Sequence, residues 1–365
     1  MVPRRSSATD SPSTPAQLEK AVNKRFGADT VMRGSDPRLQ IQRIPTGVLS
    51  VDLHTRGGFP RNRHNELFGS ANVGKTYLSY RSMAMAQELG MRPIFFDVEK
   101  TFDPTFASAA GVDVDDLKYV PQNKHGNQLI DVMETYLRSG MYDILVLDSI
   151  AALLPKGELE KDMEAGSYGT EQAKMMSAAL RRLTTANSAK AANGGAVLIY
   201  INQTRDSIGS VFAAAQRTSG GRAMGFYAGM RLELIRAEAI KRKRLVTDPK
   251  TYDEVARDVT VGHRVIVRIE KNKTGGAHTG SSTTFVFNYA KKGIDELEDL
   301  IFCGRELGWI HKKGDHFWLD DYEDQRKHGR TRFKKWLRDN PDIAEQLADE
   351  IRNVEFPEDD DEEEE

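Results

Sequence analysis

One eight-residue segment of the chain has the residue types and spacing of a phosphate-binding loop. Its pattern is G-x-x-x-x-G-K-[ST], and it reads Gly69-Ser70-Ala71-Asn72-Val73-Gly74-Lys75-Thr76. Glycines let the backbone close around an anion, so that successive N–H groups and the N-terminus of a following helix point at a phosphate. The apolar pair Leu67-Phe68 precedes the segment and the helix-compatible run Tyr77–Leu89 follows it, which is the context that the motif requires. We therefore expect Lys75 to reach the β- and γ-phosphates of a nucleotide and Thr76 to ligate Mg²⁺.

Polar residues end three other apolar runs. Asp148 follows Leu145-Val146-Leu147, where a carboxylate can hold Mg²⁺ through a bound water or can simply cap a helix. Glu99 follows Asp97-Val98 and can orient and activate an attacking water. Asn202-Gln203 follows a fourth run, and its neutral amides can sense a γ-phosphate and transmit the change into the loop that follows.

The elements that must position these residues alternate between apolar runs and helical patterns from Asn65 to about residue 290. Four runs are too short and too apolar for surface helices: 66–68, 93–98, 143–147 and 196–201. With the intervening helical patterns, such as 128–138 and 170–187, they predict an α/β fold with a central, mainly parallel sheet flanked by helices. Two later runs, 230–234 and 263–269, alternate apolar with polar residues and predict half-exposed antiparallel edge strands.

The two ends of the chain differ from this core. Thr14-Pro15-Ala16-Gln17 supplies an N-cap, a first-turn proline and a glutamine at N3, which predicts a helix over about 15–26. Its apolar stripe, Leu18, Val22 and Phe26, needs another surface to cover it. After residue 295 the pattern predicts a helix over 297–307, a hairpin, a helix over 330–337 and a small core. We expect three tryptophans in that core: Trp309, Trp318 and Trp336.

Composition limits the function classes. No apolar run approaches the roughly 20 residues that cross a bilayer, and a single cysteine, Cys303, excludes an intramolecular disulfide framework and predicts a cytosolic protein. The net charge of −2 includes eight consecutive acidic residues, 358–365; without them 52 basic residues face 46 acidic ones, a net charge of +6. A tail of this kind is either only solvated or competes with a polyanion for the basic body. In the second case its deletion strengthens nucleic-acid binding at low Mg²⁺.

These patterns together divide the chain into five parts: a disordered start (1–13), a polymerisation helix with its linker (14–40), a nucleotide-binding core (41–292), a C-terminal module (293–353) and an acidic disordered tail (354–365).

The motifs, in this order, make the chain resemble the bacterial RecA recombinase family over about residues 17–351. The matching stretches are Gly69–Thr76, Phe96–Pro104, Leu145–Pro155, Tyr200–Arg205, Thr218–Tyr227, Lys271–Lys273 and Trp336–Pro341. The resemblance implies a RecA-like P-loop ATPase core, the cofactors ATP and Mg²⁺, and helical filaments on single-stranded DNA that exchange strands with a homologous duplex. It also implies a bacterial setting, in a host or a phage, and the possibility of a single-strand-binding protein or loader as partner.

Residue roles follow from the same resemblance. It gives Lys75 and Thr76 to the phosphates and Mg²⁺, Asp148 to the Walker B strand, Glu99 to water activation and Gln203 to γ-phosphate sensing. Asp103 and Phe106 match the adenine contacts, with phenylalanine in place of the usual tyrosine. Lys271 and Lys273 match lysines that reach the ATP of the neighbouring protomer. Two segments match the DNA-binding loops, Glu158–Gly169 and Thr204–Gly221; the second contains Arg205, Arg217, Gly220 and Gly221.

Two departures concern coupling between ATP, filament and DNA. The loop residues 70–73 read Ser-Ala-Asn-Val where the bacterial proteins usually have Pro-Glu-Ser-Ser, and Gly225 replaces a lysine before Phe226. Two other functions stay open at this point. One is a hexameric helicase, which shares the core fold but lacks the 271–273 pattern; the other is a DNA-coating scaffold that does not hydrolyse ATP, against which the intact Glu99 argues.

Overall fold

A computed structural model describes residues 12, 14–28, 30–159, 168–188, 194–205, 217–247, 254–275 and 278–354. The chain divides into two compact units, Met1–Ile41 and Gln42–Glu365. The two segments expected to be disordered, 1–13 and 354–365, lie almost wholly outside the described residues, so those expectations stay predictions. The five-part division of the chain likewise stays a prediction.

The first unit contains one α-helix in its described part, Pro15–Phe26. The Thr14 hydroxyl accepts a hydrogen bond from the Gln17 backbone N–H over 3.3 Å, which confirms the predicted N-cap. No residue of this helix is buried. Leu18 and Phe26 are 54% and 64% exposed, so two of the three residues of the predicted apolar stripe are exposed.

The helices and strands are named in chain order. The helices are α1 (Pro15–Phe26), α2 (Leu49–Thr55), α3 (Lys75–Glu88), α4 (Pro104–Ala109), α5 (Gly126–Ser139), α6 (Lys156–Leu159), α7 (Tyr168–Ser188), α8 (Ala223–Tyr227), α9 (Glu296–Glu306), α10 (Arg330–Asp339) and α11 (Pro341–Arg352). The strands are β1 (Arg43–Ile44), β2 (Phe59–Pro60), β3 (Arg63–Gly69), β4 (Pro93–Asp97), β5 (Lys118–Pro121), β6 (Ile144–Asp148), β7 (Val197–Arg205), β8 (Arg217–Thr218), β9 (Ala228–Thr247), β10 (Glu254–Asn272), β11 (Ser282–Asn288), β12 (Gly293–Ile294), β13 (Ile310–Lys313), β14 (His316–Leu319) and β15 (Lys327–His328).

The central sheet of the described chain has the strand order β12-β11-β10-β9-β3-β7-β6-β4-β5, and β8 pairs with β7. The six strands from β9 to β5 in this order run parallel to their neighbours. The strands from β9 to β12 are antiparallel. The predicted α/β class with a mainly parallel sheet is therefore confirmed.

Both faces of the sheet are covered, because successive residues of a strand point to opposite faces. On one face Leu67, Val146 and Ile199 pack with residues of α3 such as Leu78. On the other face the strand residues Leu147 and Leu198 pack with Met133 of α5 and Leu180 of α7. The phosphate-binding segment lies at the carboxyl edge of this two-sided core.

The prediction that the runs 230–234 and 263–269 form edge strands was wrong. The run 230–234 lies in β9, which pairs with β3 on one side and β10 on the other. The run 263–269 lies in β10, between β9 and β11. Their alternation arises from ion pairs inside the sheet: Arg231 Nε lies 2.5 Å from Glu66 Oε2, and the buried Glu233 pairs with Arg268.

The C-terminal module packs α9, α10 and α11 on the small antiparallel sheet β13-β14-β15. The predicted hairpin and first two helices are confirmed, whereas β15 and α11 were not predicted. Trp309 and Trp336 pack against the module's core as expected. Trp318 instead stacks on His311 and lies under the Arg326 guanidinium at 4.3 Å, outside that core.

Within the described part of the chain, no helix is both long and apolar enough to pass through a bilayer.

Candidate nucleotide and DNA site

The phosphate-binding loop joins the end of β3 to the start of α3, as the sequence predicts. Gly69 closes β3 at φ 148°, and a Cβ atom there would lie 2.1 Å from the Leu234 carbonyl oxygen of β9. Gly74 has φ 106° and precedes α3, so a left-handed residue turns the chain into the helix. Both glycines are therefore required by backbone geometry, and the backbone N–H groups at the start of α3 lie at this turn.

Lys75 lies folded into the loop. Its Nζ donates to the carbonyl oxygens of Gly69, at 3.0 Å, and Ser70, at 2.6 Å. Burial lowers the pKa of Lys75, and the nearby carboxylates of Asp148 and Glu99 oppose this shift. An anion in the loop would give the ammonium a better partner than two neutral carbonyls.

Thr76 and Asp148 meet across the sheet edge. The Thr76 hydroxyl donates to Asp148 Oδ2 over 2.7 Å. Burial raises the pKa of Asp148 to about 6; the Thr76 hydrogen bond lowers it, and the charges of Glu99 and Asp97 raise it further. A hydroxyl and several crowded carboxylate oxygens beside a phosphate loop are the donor set that a hard divalent cation prefers. The residues therefore fit Mg²⁺.

Glu99 lies next to this pair and is half-buried. Its Oε1 accepts hydrogen bonds from the Ser149 hydroxyl and, over 3.0 Å, from Gln203 Nε2. The predicted water-activating carboxylate and the predicted γ-phosphate sensor are thus in direct contact. A water bound to Glu99 would lie next to Gln203. A movement of Gln203 would therefore change the surroundings of that water.

Asn202 continues the path away from the nucleotide site. Its Nδ2 donates to Glu66 Oε1 over 2.8 Å and to the Ser219 carbonyl over 3.0 Å, while its Oδ1 accepts from the Gln203 backbone N–H over 2.9 Å. Asn202 and Glu66 are fully buried. The site is therefore joined to the segment that precedes Gly220 by hydrogen bonds.

Asp103 and Phe106 lie at the start of α4. Asp103 accepts from the Thr105 backbone N–H over 2.8 Å, as an N-cap. The Phe106 ring packs 5.8 Å from Tyr77 and 6.0 Å from Tyr80, centroid to centroid. Both residues therefore have structural contacts, and the adenine contact assigned to them stays a prediction.

Lys271 and Lys273 are not brought to the phosphate loop of their own chain. Lys271 pairs with Arg231, which pairs with Glu66. Lys271 therefore lies two strands away from β3 and level with Glu66, which precedes Gly69 by three residues. The separation from Gly69 is roughly 10 Å across the strands and roughly 10 Å along them. Its Nζ donates to the Gly225 carbonyl over 2.6 Å, and burial, Lys273 and Arg231 lower its pKa to about 8. Lys273 is exposed.

The predicted DNA-binding segments begin and end at residues that the structure describes. Glu158 lies in α6 and Gly169 in α7, but residues 160–167 between them are outside the described part. Arg205 ends β7 and pairs in register with Arg217 at the start of β8, whereas residues 206–216 are also outside it.

Gly220 and Gly221 attach the second segment to α7. Both have positive φ, and a Cβ atom would lie 3.2 Å from Met176 of α7 at position 220 and 2.8 Å from Ala173 of α7 at position 221. Because the first segment ends inside α7, at Gly169, both predicted DNA-binding segments adjoin the same helix.

Three contributors were missed in the sequence. Ser149 holds Glu99, Glu66 holds Asn202, and both Asp97 oxygens fix the turn after β4 through the backbone N–H groups of Thr101 and Phe102. Ser149 and Asp97 adjoin assigned residues, which was a usable signal. Glu66 sits inside an apolar strand, and only its distant partners explain its charge.

Comparison with known proteins places these features in one family. Residues 16–294 match the RecA N-terminal domain. The chain is 37% identical over 332 residues to protein RecA of Herpetosiphon aurantiacus, covering 91% of this chain and 86% of that protein. It is 37% identical over 341 residues to protein RecA of Frankia alni, covering 92% and 90%. It is 36% identical over 336 residues to protein RecA of Aquifex pyrophilus, covering 92% and 89%. The chain therefore belongs to the RecA family of DNA-dependent ATPases that act in recombination and repair.

Proposed function

We propose that this protein polymerises on single-stranded DNA in the presence of ATP and Mg²⁺, pairs that strand with a homologous duplex and exchanges strands. One observation supports this function above the others. A continuous path of contacts runs from Glu99 through Gln203 and Asn202 to the Ser219 carbonyl, so the nucleotide site and a predicted DNA-binding segment share one polar network.

At the nucleotide, we assign each residue a role. Residues 69–74 offer backbone N–H groups to the phosphates, and Lys75 exchanges its two carbonyl partners for phosphate oxygens. Thr76 and Asp148 would hold Mg²⁺, which when bound supplies neutralisation of phosphate charge. Glu99 accepts a proton from the attacking water, and Asp103 and Phe106 border the adenine.

Hydrolysis depends on a neighbouring protomer in this proposal. Lys271 and Lys273 lie away from their own phosphate loop, so we assign them to the ATP of the adjacent chain, where they neutralise charge on the transferred phosphoryl group. The exposed Leu18 and Phe26 of α1 pack on the next protomer. Hydrolysis therefore requires a filament.

DNA binding is assigned to the segments 158–169 and 204–221. Their amides, with Arg205 and Arg217, meet the phosphates of a single strand, which makes binding salt-dependent and nearly independent of sequence. A single-strand-binding protein or a loader is a further proposed partner. We place the protein in the bacterial cytoplasm, encoded by the host or by a phage or plasmid.

The test combines ATP hydrolysis, measured with and without single-stranded DNA, with electron microscopy of the same samples and a strand-exchange assay. We expect strong stimulation by DNA, helical filaments and exchange. Closed rings with stimulated hydrolysis would favour the helicase. DNA coating without turnover would favour the scaffold. The family match favours neither alternative.

A further inference from the structure

Arg43 of β1 joins two segments that lie far apart in the chain. Its Nη1 donates a hydrogen bond to the Gly58 carbonyl over 3.1 Å. Its Nη2 donates to the Thr274 carbonyl over 2.9 Å, to the Thr274 hydroxyl over 3.1 Å and to the Gly275 carbonyl over 2.9 Å. Thr274 and Gly275 directly follow Lys273. Arg43 therefore holds the turn that comes after the lysines assigned to the neighbouring ATP.

The oxygens that accept from Arg43 in the described part of the chain are all neutral. They are three backbone carbonyls and one hydroxyl. Burial lowers the pKa of Arg43 to about 10, and the charge of Arg56 adds to this shift. Burying a charge among neutral groups costs free energy, and an apolar side chain would avoid that cost. What the planar guanidinium provides in return is a fixed position for the carbonyls that its fork of N–H groups holds.

The backbone that carries Arg43 is itself tightly held. β1 pairs with β2, so that Arg43 lies opposite Pro60 and Ile44 lies opposite Phe59. Gly58 precedes β2 with φ 97°, and a Cβ atom there would lie 2.2 Å from the Ile44 carbonyl oxygen. Glycine is therefore required for this close approach, and the guanidinium extends from a fixed pair of strands.

The backbone is also fixed on both sides of Lys273. Before it, the Lys273 N–H donates to the Gly229 carbonyl over 2.8 Å. After it, Asn272 Oδ1 accepts from the Thr274 N–H over 3.1 Å and from the Thr274 hydroxyl over 2.8 Å, which closes a turn. Arg43 attaches this turn to β1. The exposed side chain of Lys273 thus starts from a backbone that is already ordered within its own chain.

We propose that Arg43 is a positioning residue for ATP hydrolysis: it holds the turn after Lys273 so that this lysine meets the γ-phosphate bound by the adjacent chain. This inference rests on the proposed function. Ordering the turn in advance reduces the entropy that is lost when two chains form the site. The hydrogen bonds of Arg43 include no residue of its own phosphate loop, 69–76. Its effect should therefore appear at the neighbour's ATP.

The test uses mixed filaments of two full-length variants. Arg43→Met keeps the length of the side chain but loses every donor, whereas Glu99→Gln keeps the lysines and lacks the proposed base. Each variant alone should hydrolyse ATP slowly. In an equal mixture, about one quarter of the sites combine the nucleotide side of an Arg43→Met chain with the lysines of a Glu99→Gln chain, because neighbours in a head-to-tail assembly are drawn at random. These sites should regain wild-type turnover.

Three further measurements describe Arg43→Met by itself. We expect hydrolysis with single-stranded DNA to be at least about tenfold slower, since a displacement of about 1 Å can lower a rate about a hundredfold. Binding of a fluorescent ATP analogue by the DNA-free chain should stay within about twofold of wild type, because its own phosphate loop is unchanged. Hydrogen–deuterium exchange of peptides that contain residues 271–275 should be faster in the DNA-free variant.

Arg81→Met is the matched control. Arg81 is also half-buried, and it donates to the backbone carbonyls of Gly47 and Ala110, away from residues 271–275. Its hydrolysis should stay within about twofold of wild type. Thermal unfolding is measured for both variants. If Arg43→Met unfolds below the assay temperature, Arg43→Lys takes its place in every measurement, because an ammonium keeps the charge but lacks the fork that holds three carbonyls.

Four results would overturn the role of Arg43: wild-type hydrolysis by the Arg43 variant, an equal loss in Arg81→Met, unchanged exchange of residues 271–275, or a mixture with Glu99→Gln that is no faster than its separate components. A parallel mixture of Lys273→Met with Glu99→Gln tests the action of the lysine across the interface. If this mixture regains turnover and the Arg43 mixture does not, the role of Arg43 alone is refuted. If neither regains it, the assignment of Lys273 in the proposed function fails as well.

Discussion

Gln203 donates a hydrogen bond from Nε2 to Oε1 of Glu99 over 3.0 Å. The two side chains come from the ends of β7 and from the turn after β4, two strands that β6 separates in the sheet. One carboxylate oxygen therefore serves both the proposed activation of water and the proposed sensing of the γ-phosphate. Any ligand that moves Gln203 changes the environment of Glu99.

Replacing Glu99 with Gln should separate assembly from turnover. Glutamine keeps the shape of the side chain but is not a base, so we expect filaments that form with ATP and hydrolyse it at least about a hundredfold more slowly. Electron microscopy and phosphate release measure the two properties on one sample. Wild-type turnover by Glu99→Gln would remove Glu99 from the mechanism.

Replacing Lys75 with Ala should greatly weaken nucleotide binding. The loss of a charge-assisted contact worth about 3 kcal/mol weakens ATP binding about a hundredfold. Because Lys75 is held by two backbone carbonyls and not by a carboxylate, no buried anion is left unpaired and the fold should persist. Titration with a fluorescent ATP analogue, with Lys118→Ala as the exposed control, measures this; equal affinities would refute the site.

Replacing Asn202 with Ala should weaken coupling to DNA while ATP binding stays within about twofold. The variant loses the bonds to Glu66 and to the Ser219 carbonyl, at a cost of about 1–3 kcal/mol in the free energy of unfolding. Asn187→Ala is the matched control, because Asn187 is also buried and bonds twice to the Ala196 backbone, away from the path. The ratio of hydrolysis rates with and without DNA is the measurement. A similar fall of that ratio in both variants would mean a general loss of stability.

Replacing Asp299 with Asn should change how stability depends on pH. Burial raises the pKa of Asp299 to about 7, and the Ser50 hydrogen bond and the charge of Asp52 act in opposite directions on it. The folded chain therefore binds a proton that the unfolded chain releases above about pH 4, so stability from this group is present at low pH and is lost as pH rises to about 7.

Asparagine is neutral throughout and can still accept from the Ser50 N–H, which is 3.2 Å from Asp299 Oδ2. In urea denaturation at pH 8, we expect the free energy of unfolding of Asp299→Asn to exceed that of wild type by on the order of 2 kcal/mol. Near pH 5 the free energies of unfolding of the two proteins should converge. A constant difference between the two proteins across this range would contradict the assignment.

Replacing Leu18 and Phe26 with Ser should prevent filament assembly without unfolding the chain. Both side chains are exposed, so their loss costs little stability. Leu89→Ser, at another position that is 54% exposed, is the control. Light scattering with ATP and single-stranded DNA measures assembly; normal filaments of the double variant would exclude α1 from the protomer interface.

Local patterns predicted the parts of the fold that local physics decides. The phosphate loop, the four parallel strands and α1 with its Thr14 cap all follow from short-range spacing and turn chemistry. The place of β9 in the sheet did not. Arg231 and Glu233 made that strand look half-exposed, because the partners that neutralise them inside the sheet, Glu66 and Arg268, lie 165 and 35 residues away in the chain.

The candidate site divides in the same way. Lys75, Thr76, Asp148 and Glu99 end or follow apolar strands, so their meeting at one sheet edge was predictable. Ser149 and Glu66 act by holding another side chain. A hydroxyl or an acid in such a supporting role does not belong to a sequence motif with a recognisable spacing, so neither residue was predicted.

The register that keeps Lys271 away from Gly69 determines how many complete catalytic centres a filament contains. Under the assignment proposed above, every chain carries two halves that belong to different catalytic centres. An open filament then contains one complete centre fewer than it has chains, and an isolated chain contains none. The rate of ATP consumption would therefore be proportional to the number of interfaces between protomers. Breaking a filament in two would inactivate one catalytic centre although every chain stays intact.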